Sequence, residues 1–249
     1  MPSIDPPIVD EDALLGVTAD FSEAAKILFA ENSVDETLAH VVGLAVATIE
    51  GCELAGVFLV QEGVVATRAS TSPLVVEVDA LQHRAGEGPC LAAVTLGTPF
   101  YADDLGEDSR WPRFSPEAAA AGIRSVFAVP LSVDSPVGAL NLYAPLPGAF
   151  GVIDRARGVL LAALASLAVS SAQSHEDDER QANDLRAALV TREVIGQAQG
   201  ILMERERITS DQAFDVLRRA SQHLNLKLRE IAQALVDTGE GPDLPTPPS

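Results

Sequence analysis

Apolar positions in the first two thirds of the chain change from helical spacing to β-rich runs. Between residues 12 and 50 they recur every three or four positions, which predicts two helices with Ser33 as a cap between them. Two pairs of β-rich runs follow, each separated by a short turn-forming segment: residues 54–60 with 64–70, and residues 123–133 with 137–144. Each pair predicts a β-hairpin.

The segment between the two hairpins has no long periodic pattern. It contains a helical piece at residues 90–96, a short strand at residues 99–101 and an irregular stretch around Trp111 and Pro112. Helices followed by hairpins with inserted connections favour an α+β domain, in which helices flank an antiparallel sheet.

One long helix is predicted after the second hairpin. No proline occurs from Asp154 to about Arg207, and a helix of that length would extend roughly 80 Å. A broken apolar seam runs along it: Leu160, Leu161, Leu164, Leu167, Ala168, Leu185, Ala188, Leu189 and Ile195. Such a seam is typical of a helical bundle or of a coiled coil between two copies. We therefore expect a parallel homodimer.

Three apolar stripes at helical spacing end the pattern and predict a three-helix bundle. Their members are Val194, Ile195, Ala198, Ile201 and Leu202; Ala213, Phe214, Leu217, Ala220 and Leu224; and Leu228, Ile231, Ala232 and Leu235. Thr209 and Gln212 have the spacing of a capping box at the start of the second helix. Asn225 is expected to cap the third helix and Gly239 to end it.

Charge and cysteine content narrow the classes of function. Residues 1–179 hold 8 basic and 26 acidic side chains, whereas residues 180–240 hold 9 of each. The acidic front part disfavours nonspecific coating of nucleic acid, and selective recognition by a small patch stays open. Cys52 and Cys90 lack metal-ligand spacing and fit a reducing cytosol.

Signals for export, membrane insertion and catalysis are missing from the sequence. The first residues lack a basic and apolar leader, and residues 158–172, the longest nearly apolar run, are too few for a membrane span. Phosphate-binding loops and hydrolase or zinc-protease motifs do not occur. We expect a cytoplasmic protein with no catalytic residues, no metal site and no membrane contact.

Polar residues outside the stripes of the bundle are mainly arginines and amides. Guanidinium and carboxamide groups suit phosphate oxygens and base edges. Acidic residues are interleaved with them, so a solvated, salt-bridged surface is the alternative interpretation. The candidate contacts are Arg192, Gln197, Gln199, Arg205, Arg218, Arg219, Ser221, Gln222, Asn225 and Lys227.

The motifs R-x-x-I-G-Q-A-x-G-I-L-M, S-x-x-Q-A-F-x-x-L-R-x-x-S-Q and N-x-K-L-x-x-I-A resemble the ANTAR domain of transcription antitermination regulators. The resemblance implies a module that binds paired short RNA hairpins in leader transcripts and prevents a terminator from forming. Gln199 departs from the family pattern, because relatives often have lysine there. The polar positions that match the family are Arg192, Gln197, Arg218, Ser221, Gln222, Asn225 and Lys227.

The motifs G-E-G-P-C-L-A-A-V, G-T-P-F-Y-A-D-D-L, W-P-R-F, G-I-R-S-V-F-A-V-P-L and V-G-A-L-N-L-Y resemble a GAF domain. The resemblance implies a sensory module that encloses a small ligand, whose identity is unknown, and no cofactor is identified. Candidate ligand contacts are Cys90, Tyr101, Trp111 and Phe114. A helix start is a place that lowers the pKa of a thiol, so a redox or covalent-cofactor role of Cys90 is one interpretation. A small buried cysteine and core aromatic residues are the interpretations that we favour.

The patterns and resemblances together divide the chain into five segments. They are a disordered lead (1–11), a GAF-like domain (12–170), a coiled-coil linker (171–190), an ANTAR bundle (191–240) and a disordered tail (241–249). We expect a signal-responsive, RNA-binding antiterminator. We do not expect DNA as a partner; the alternatives are a DNA-binding regulator that reads a groove with the second helix, and a ligand sensor whose bundle only dimerises.

Overall fold

The computed structural model describes residues 21–61, 64–132 and 136–239. The predicted lead and tail lie outside these residues. The chain forms two compact units, Met1–Glu176 and Asp177–Ser249.

The first unit is built on a five-stranded antiparallel sheet with the strand order β2-β1-β5-β4-β3. Its strands are β1 (Leu54–Gln61), β2 (Val64–Ser70), β3 (Phe100–Ala102), β4 (Ser125–Ser132) and β5 (Pro136–Ala144). Both predicted hairpins are confirmed, since β1 pairs with β2 and β4 pairs with β5. The two hairpins join where β1 lies beside β5, with Leu54 opposite Tyr143.

Five helices of the first unit precede or connect these strands. They are α1 (residues 21–28), α2 (Val34–Thr48), α3 (Pro73–Ala85), α4 (Pro89–Leu96) and α5 (Ser115–Ala120). The Ser33 hydroxyl accepts from the Glu36 N–H and confirms the predicted cap of α2. The sequence interpretation missed α3 and α5.

Alternating side chains of the strands supply two apolar cores, one on each face of the sheet. One face packs against α2 and the first half of the long helix α6 (Val152–Glu206), with Val57 and Leu140 among its members. The other face packs against α3 and α5, with Val126 and Tyr143 among its members. The sheet is therefore covered by helices on both faces, and the predicted α+β class and long helix are confirmed.

The second unit contains the end of α6, α7 (Ser210–Leu224) and α8 (Leu228–Thr238). Its core consists of Val194, Ala198, Leu202, Ala213, Leu217, Ala220, Ile231, Ala232 and Leu235. Three residues of the predicted stripes are half-buried against this core: Ile195, Ile201 and Leu228. Two others are exposed, Phe214 by 39% and Leu224 by 44%. Their prediction as core was wrong: three-residue spacing placed them at the edge of the stripe, and the neighbouring alanines let the helices pack without them.

Capping explains where α7 and α8 begin and end. The Thr209 N–H donates to Gln212 Oε1 at 2.9 Å, and the Gln212 N–H returns a bond to Thr209 Oγ1 at 3.4 Å, which confirms the capping box. Asn225 was predicted to cap α8 but instead ends α7 in the left-handed conformation (φ 52°), a role that asparagine tolerates better than most residues. Lys227 precedes α8, and Gly239 (φ 69°) ends it as predicted.

Across the described ranges, no helix is long and apolar enough to cross a membrane.

Candidate nucleic-acid interface and buried polar cluster

One face of α7 presents the side chains of Arg218 and Gln222, which lie one turn apart and are exposed. Arg218 Nη2 lies 2.9 Å from Asp215 Oδ1, and both side chains are more than half exposed. An ion pair of this kind contributes little to stability, typically below about 1 kcal/mol. A phosphate or a base edge can therefore compete with Asp215 for this guanidinium at small cost.

Four further predicted contacts are also exposed on the second unit: Arg192, Gln197, Arg219 and Lys227. Gln197 Nε2 donates to Glu193 at 3.3 Å, and Arg219 Nε donates to the Asp215 carbonyl at 3.3 Å. Each contact stays within its own helix, α6 for Gln197 and α7 for Arg219, and leaves the remaining donors of the side chain available.

The other four predicted contacts already hold the bundle together. Gln199 Nε2 donates to the Ser210 carbonyl at 3.1 Å, and Arg205 donates to the Gly239 carbonyl at 2.8 Å. The Ser221 hydroxyl donates to the Leu226 carbonyl at 2.6 Å across the turn that Asn225 forms. These hydrogen bonds within the bundle thus explain the residue types at these positions. RNA binding would be a second role for these side chains.

The first unit contains a polar cluster beneath the face of the sheet that packs on α3. The Asp79 carboxylate accepts from Thr67 Oγ1 at 2.8 Å, from Asn141 Nδ2 at 2.9 Å and from the Tyr143 hydroxyl. Asp79, Asn141 and Tyr143 are all buried. A buried carboxylate is costly unless it is well bonded, so these hydrogen bonds hold the Asp79 side chain in one position.

Burial dominates the acid–base properties of this cluster. It raises the pKa of Asp79 above its ordinary value, and the hydrogen bonds from Tyr143, Thr67 and Asn141 only partly oppose it. Burial and the nearby Asp79 charge raise the pKa of Tyr143 well above its usual range. Asn141 Oδ1 is buried and has no donor among the residues that the structure describes.

A second set of hydrogen bonds connects the cluster to the G-E-G-P-C segment. Gln82 Nε2 donates to the Tyr143 oxygen at 3.4 Å, and Gln82 Oε1 accepts from the Cys90 N–H at 2.8 Å. Glu87 accepts from the Arg113 N–H at 2.6 Å and from the Phe114 N–H at 3.3 Å, and these bonds with the Arg113 side chain lower the pKa of Glu87. Glu87 thereby fixes the W-P-R-F loop against the start of α4.

The four predicted ligand contacts lie in three different places. Trp111 and Phe114 belong to the core beneath α3. Cys90 packs with Phe58 and Ala139 in a small separate cluster. Tyr101 contacts the core on the opposite face, where its ring packs edge-on against Phe127 and Phe150. The structure therefore does not bring the four side chains together.

Cys90 has the environment of a small buried cysteine, the interpretation that the sequence favours. Its side chain is buried at the start of α4, and burial raises the thiol pKa well above its usual range. Loss of water therefore outweighs the pKa-lowering effect of the helix terminus. Burial similarly raises the pKa of Tyr101 to about 12, with the Asp103 carboxylate adding to the effect.

The sequence interpretation missed Asp79 and Gln82, which lie one turn apart on α3 and both point into the sheet. A helix assigned there from Ser72, Pro73 and Gly86 would have shown two polar residues on its buried stripe.

Comparison with protein families gives two matches. A model described as a GAF domain matches residues 31–170, and one described as an ANTAR domain matches residues 183–236. A search of curated proteins finds no match.

Several solved structures share the fold of the first unit. A free methionine-R-sulfoxide reductase from Neisseria meningitidis is 18% identical, with a TM-score of 0.53 over 70% of this chain and 99% of that one. The GAF domain of an Acinetobacter phosphoenolpyruvate-protein phosphotransferase is 15% identical, with a TM-score of 0.51 over 63% and 94%. The Stigmatella aurantiaca phytochrome photosensory core is 11% identical, with a TM-score of 0.55 over 90% and 47%. At such identities the likeness concerns the fold alone.

Proposed function

The chain belongs to the GAF domain family and carries an ANTAR domain behind its GAF domain, and from this premise we propose how it works. It is an RNA-binding regulator of transcription antitermination with a sensor domain. In our proposal a dimer binds paired short hairpins of a leader transcript, and a signal in the GAF domain controls that binding. The ANTAR match over the bundle that exposes Arg218 and Gln222 is the observation that carries the proposal.

Charge distribution supports recognition by a small patch. The part of the chain from residue 180 to 240 is balanced, with 9 basic and 9 acidic side chains, whereas the part before it is strongly acidic. The acidic part repels phosphates and the balanced part does not. RNA contacts are therefore confined to the ANTAR domain, where exposed guanidinium and amide groups suit unpaired bases in loops.

The exposed part of the apolar seam on α6 supports self-association. Leu161 and Ala168 are buried in the GAF core and cannot contact a second copy. Leu160, Leu167, Leu185 and Leu189 are 47–62% exposed. Leu160 and Leu167 of the first unit are 7 positions apart and Leu185 and Leu189 of the second are 4 apart, both close to whole numbers of helical turns. In each unit, one face of α6 therefore offers apolar side chains to a second, parallel copy.

A ligand of the GAF domain would act through packing. We place its polar contacts at the Asp79 cluster, because the buried Asn141 Oδ1 lacks a donor among the described residues. The same sheet packs its other face against α6. A ligand that binds one arrangement of the sheet more tightly shifts the population of α6 arrangements, and with it the spacing of two ANTAR domains.

We also propose that the GAF domain is not a reductase, although its fold resembles the Neisseria enzyme. Both cysteines are buried, and burial raises the pKa of the Cys52 thiol to about 12 and that of Cys90 well above its usual range. Because the thiolate is the reactive form and both thiols are buried, we expect the native protein to react with Ellman's reagent at least about 100-fold more slowly than the urea-unfolded protein. Rapid labelling of the native protein would contradict this.

The ANTAR contacts are tested by Arg218→Ala and Gln222→Ala. Loss of either side chain is expected to weaken binding of an RNA with two hairpins by about 1–3 kcal/mol, or roughly 5- to 150-fold. Arg218→Ala should also lower the slope of log K against log salt by about 1 if the guanidinium contacts a phosphate. Fluorescence anisotropy over a salt series measures both quantities.

Two variants serve as matched controls for this experiment. Arg186 and Gln233 are exposed helical residues of the same unit, each hydrogen-bonded to a near neighbour on its own helix. Arg186→Ala and Gln233→Ala should bind as the natural protein does. Equal losses in all four variants, or a preference for duplex DNA of the same sequence, would contradict the assignment.

A further inference from the structure

A groove in the ANTAR domain has a volume of about 520 Å³. Ala188 and Ile195 of α6 and Phe214 of α7 give it apolar walls, and Thr191, Arg192 and Gln199 add polar groups. All of these residues belong to the second unit. No carboxylate is among the described residues that line the groove, although acidic side chains are as numerous as basic ones in this part of the chain.

Phe214 is the unusual member of this groove. It is the single Phe, Tyr or Trp between residues 177 and 239, yet the core of the bundle is filled by aliphatic side chains and Phe214 stays 39% exposed. A phenyl ring gains more from burial than any of the alanines that occupy the core. Its position in an open groove gives the domain a flat aromatic surface, which is the group on which RNA-binding proteins stack unpaired bases.

The polar groups of the groove complement a nucleotide. Gln199 Nε2 donates to the Ser210 carbonyl at 3.1 Å and to the Ser210 hydroxyl at 3.2 Å, which fixes the amide and leaves Oε1 to accept from a base amino group. Arg192 is exposed and has no ion-pair partner within the described residues. Its guanidinium suits the phosphate that flanks such a base.

We propose that this groove binds one unpaired base of an RNA loop, stacked on Phe214, with Gln199 Oε1 accepting from the base and Arg192 binding the adjacent phosphate. The proposal rests on the RNA-binding function proposed above and gives it a base-binding site. The guanidinium of Arg192 at the rim and the lack of carboxylates among the described lining residues favour an anionic nucleotide as the occupant.

Phe214→Leu in the full chain tests the proposal, because leucine keeps an apolar side chain and removes the ring face. The RNA is obtained by selection from a pool of paired hairpins with randomised loops. We expect Phe214→Leu to weaken binding on the order of 10- to 100-fold with an unchanged salt slope, and Phe214→Trp to restore it. Phe29→Leu is the matched control, since Phe29 is also exposed but lies in the first unit.

A measurement on the natural protein makes the test independent of folding of the variant. 2-Aminopurine is placed at each loop position in turn, and a change in fluorescence on binding at one position is expected, with loss of that change in Phe214→Leu. Circular dichroism and solution mass should stay unchanged in the variant.

The outcomes separate the two proposals. If Phe214→Leu binds normally while Arg218→Ala binds weakly, the base site is wrong and the RNA-binding function stands. If Phe214→Leu lowers the solution mass, the groove holds a second copy and the base site is again wrong. If no RNA of the pool binds the natural protein, the proposed function fails and the base site fails with it.

Discussion

Leu189→Asp is expected to convert a dimer to a monomer and to lower the affinity for an RNA with two hairpins by about 100- to 10,000-fold. Leu189 is 58% exposed on the seam of α6, so the charge does not disturb either core but enters the surface that we assign to self-association. In a dimer, the second ANTAR domain meets the second hairpin at a high effective concentration, because the first domain already holds the same RNA. This gain in affinity is lost when the two copies separate. Sedimentation and anisotropy measure the two effects.

The control for this variant is Asn183→Asp. Asn183 is exposed on the same helix but away from the seam, and its Oδ1 accepts from Arg186 at 3.1 Å, a bond that aspartate keeps. It adds the same charge and should remain dimeric. An RNA with one hairpin should lose less affinity for Leu189→Asp than an RNA with two hairpins does, since the new carboxylate also lies one turn before Arg192. A monomeric natural protein, or a dimeric Leu189→Asp, would contradict the seam.

Asp79→Ala is expected to lower the free energy of unfolding of the GAF domain by about 3 kcal/mol or more, because a buried group that loses its partner costs about 1–3 kcal/mol. The variant removes the acceptor of three donors, which belong to Thr67, Asn141 and Tyr143. Asn141 and Tyr143 are fully buried. Urea unfolding measures the change. Glu77→Ala, an exposed carboxylate of the same helix, should differ from the natural protein by less than about 0.5 kcal/mol.

The same residue predicts a pH dependence. Burial raises the pKa of Asp79 from its ordinary value of 3.8, so the folded protein holds a proton that the unfolded chain releases. The contribution of this group is fully present below the unfolded pKa and is lost as pH rises through the window up to the higher folded pKa. The stability of the natural protein relative to Asp79→Asn should therefore fall as pH rises above 3.8, the ordinary pKa of the aspartate side chain. A constant difference would contradict the direction of the shift.

Local signals in the sequence predicted the elements that depend on local chemistry. Thr209 and Gln212 indicated the start of α7, Ser33 the start of α2, and turn-forming segments the two hairpins. The absence of proline after Asp154 indicated α6. The pairing of β1 with β5 could not be predicted in this way, because it joins residues that are far apart in sequence.

Side-chain environments were harder to predict than elements. Phe214 fell at core spacing but is exposed, because packing of Ala213 and Ala220 decides which side of α7 is buried. Asp79 was missed with α3, since its importance depends on Asn141 and Tyr143, which lie more than 60 positions later. These contacts form only when the sheet assembles, so local spacing could place Asp79 on the buried stripe of a helix but could not indicate its partners.

Selection from an RNA pool tests the central claim most directly. The pool contains equal amounts of RNAs with two hairpins, with one hairpin and with no stable structure, all with randomised loops, together with matched duplex DNA. The purified full chain should enrich the RNAs with two hairpins, and Arg218→Ala should enrich them less. Enrichment of duplex DNA, or no enrichment of any class by a protein with native helicity, would contradict the account.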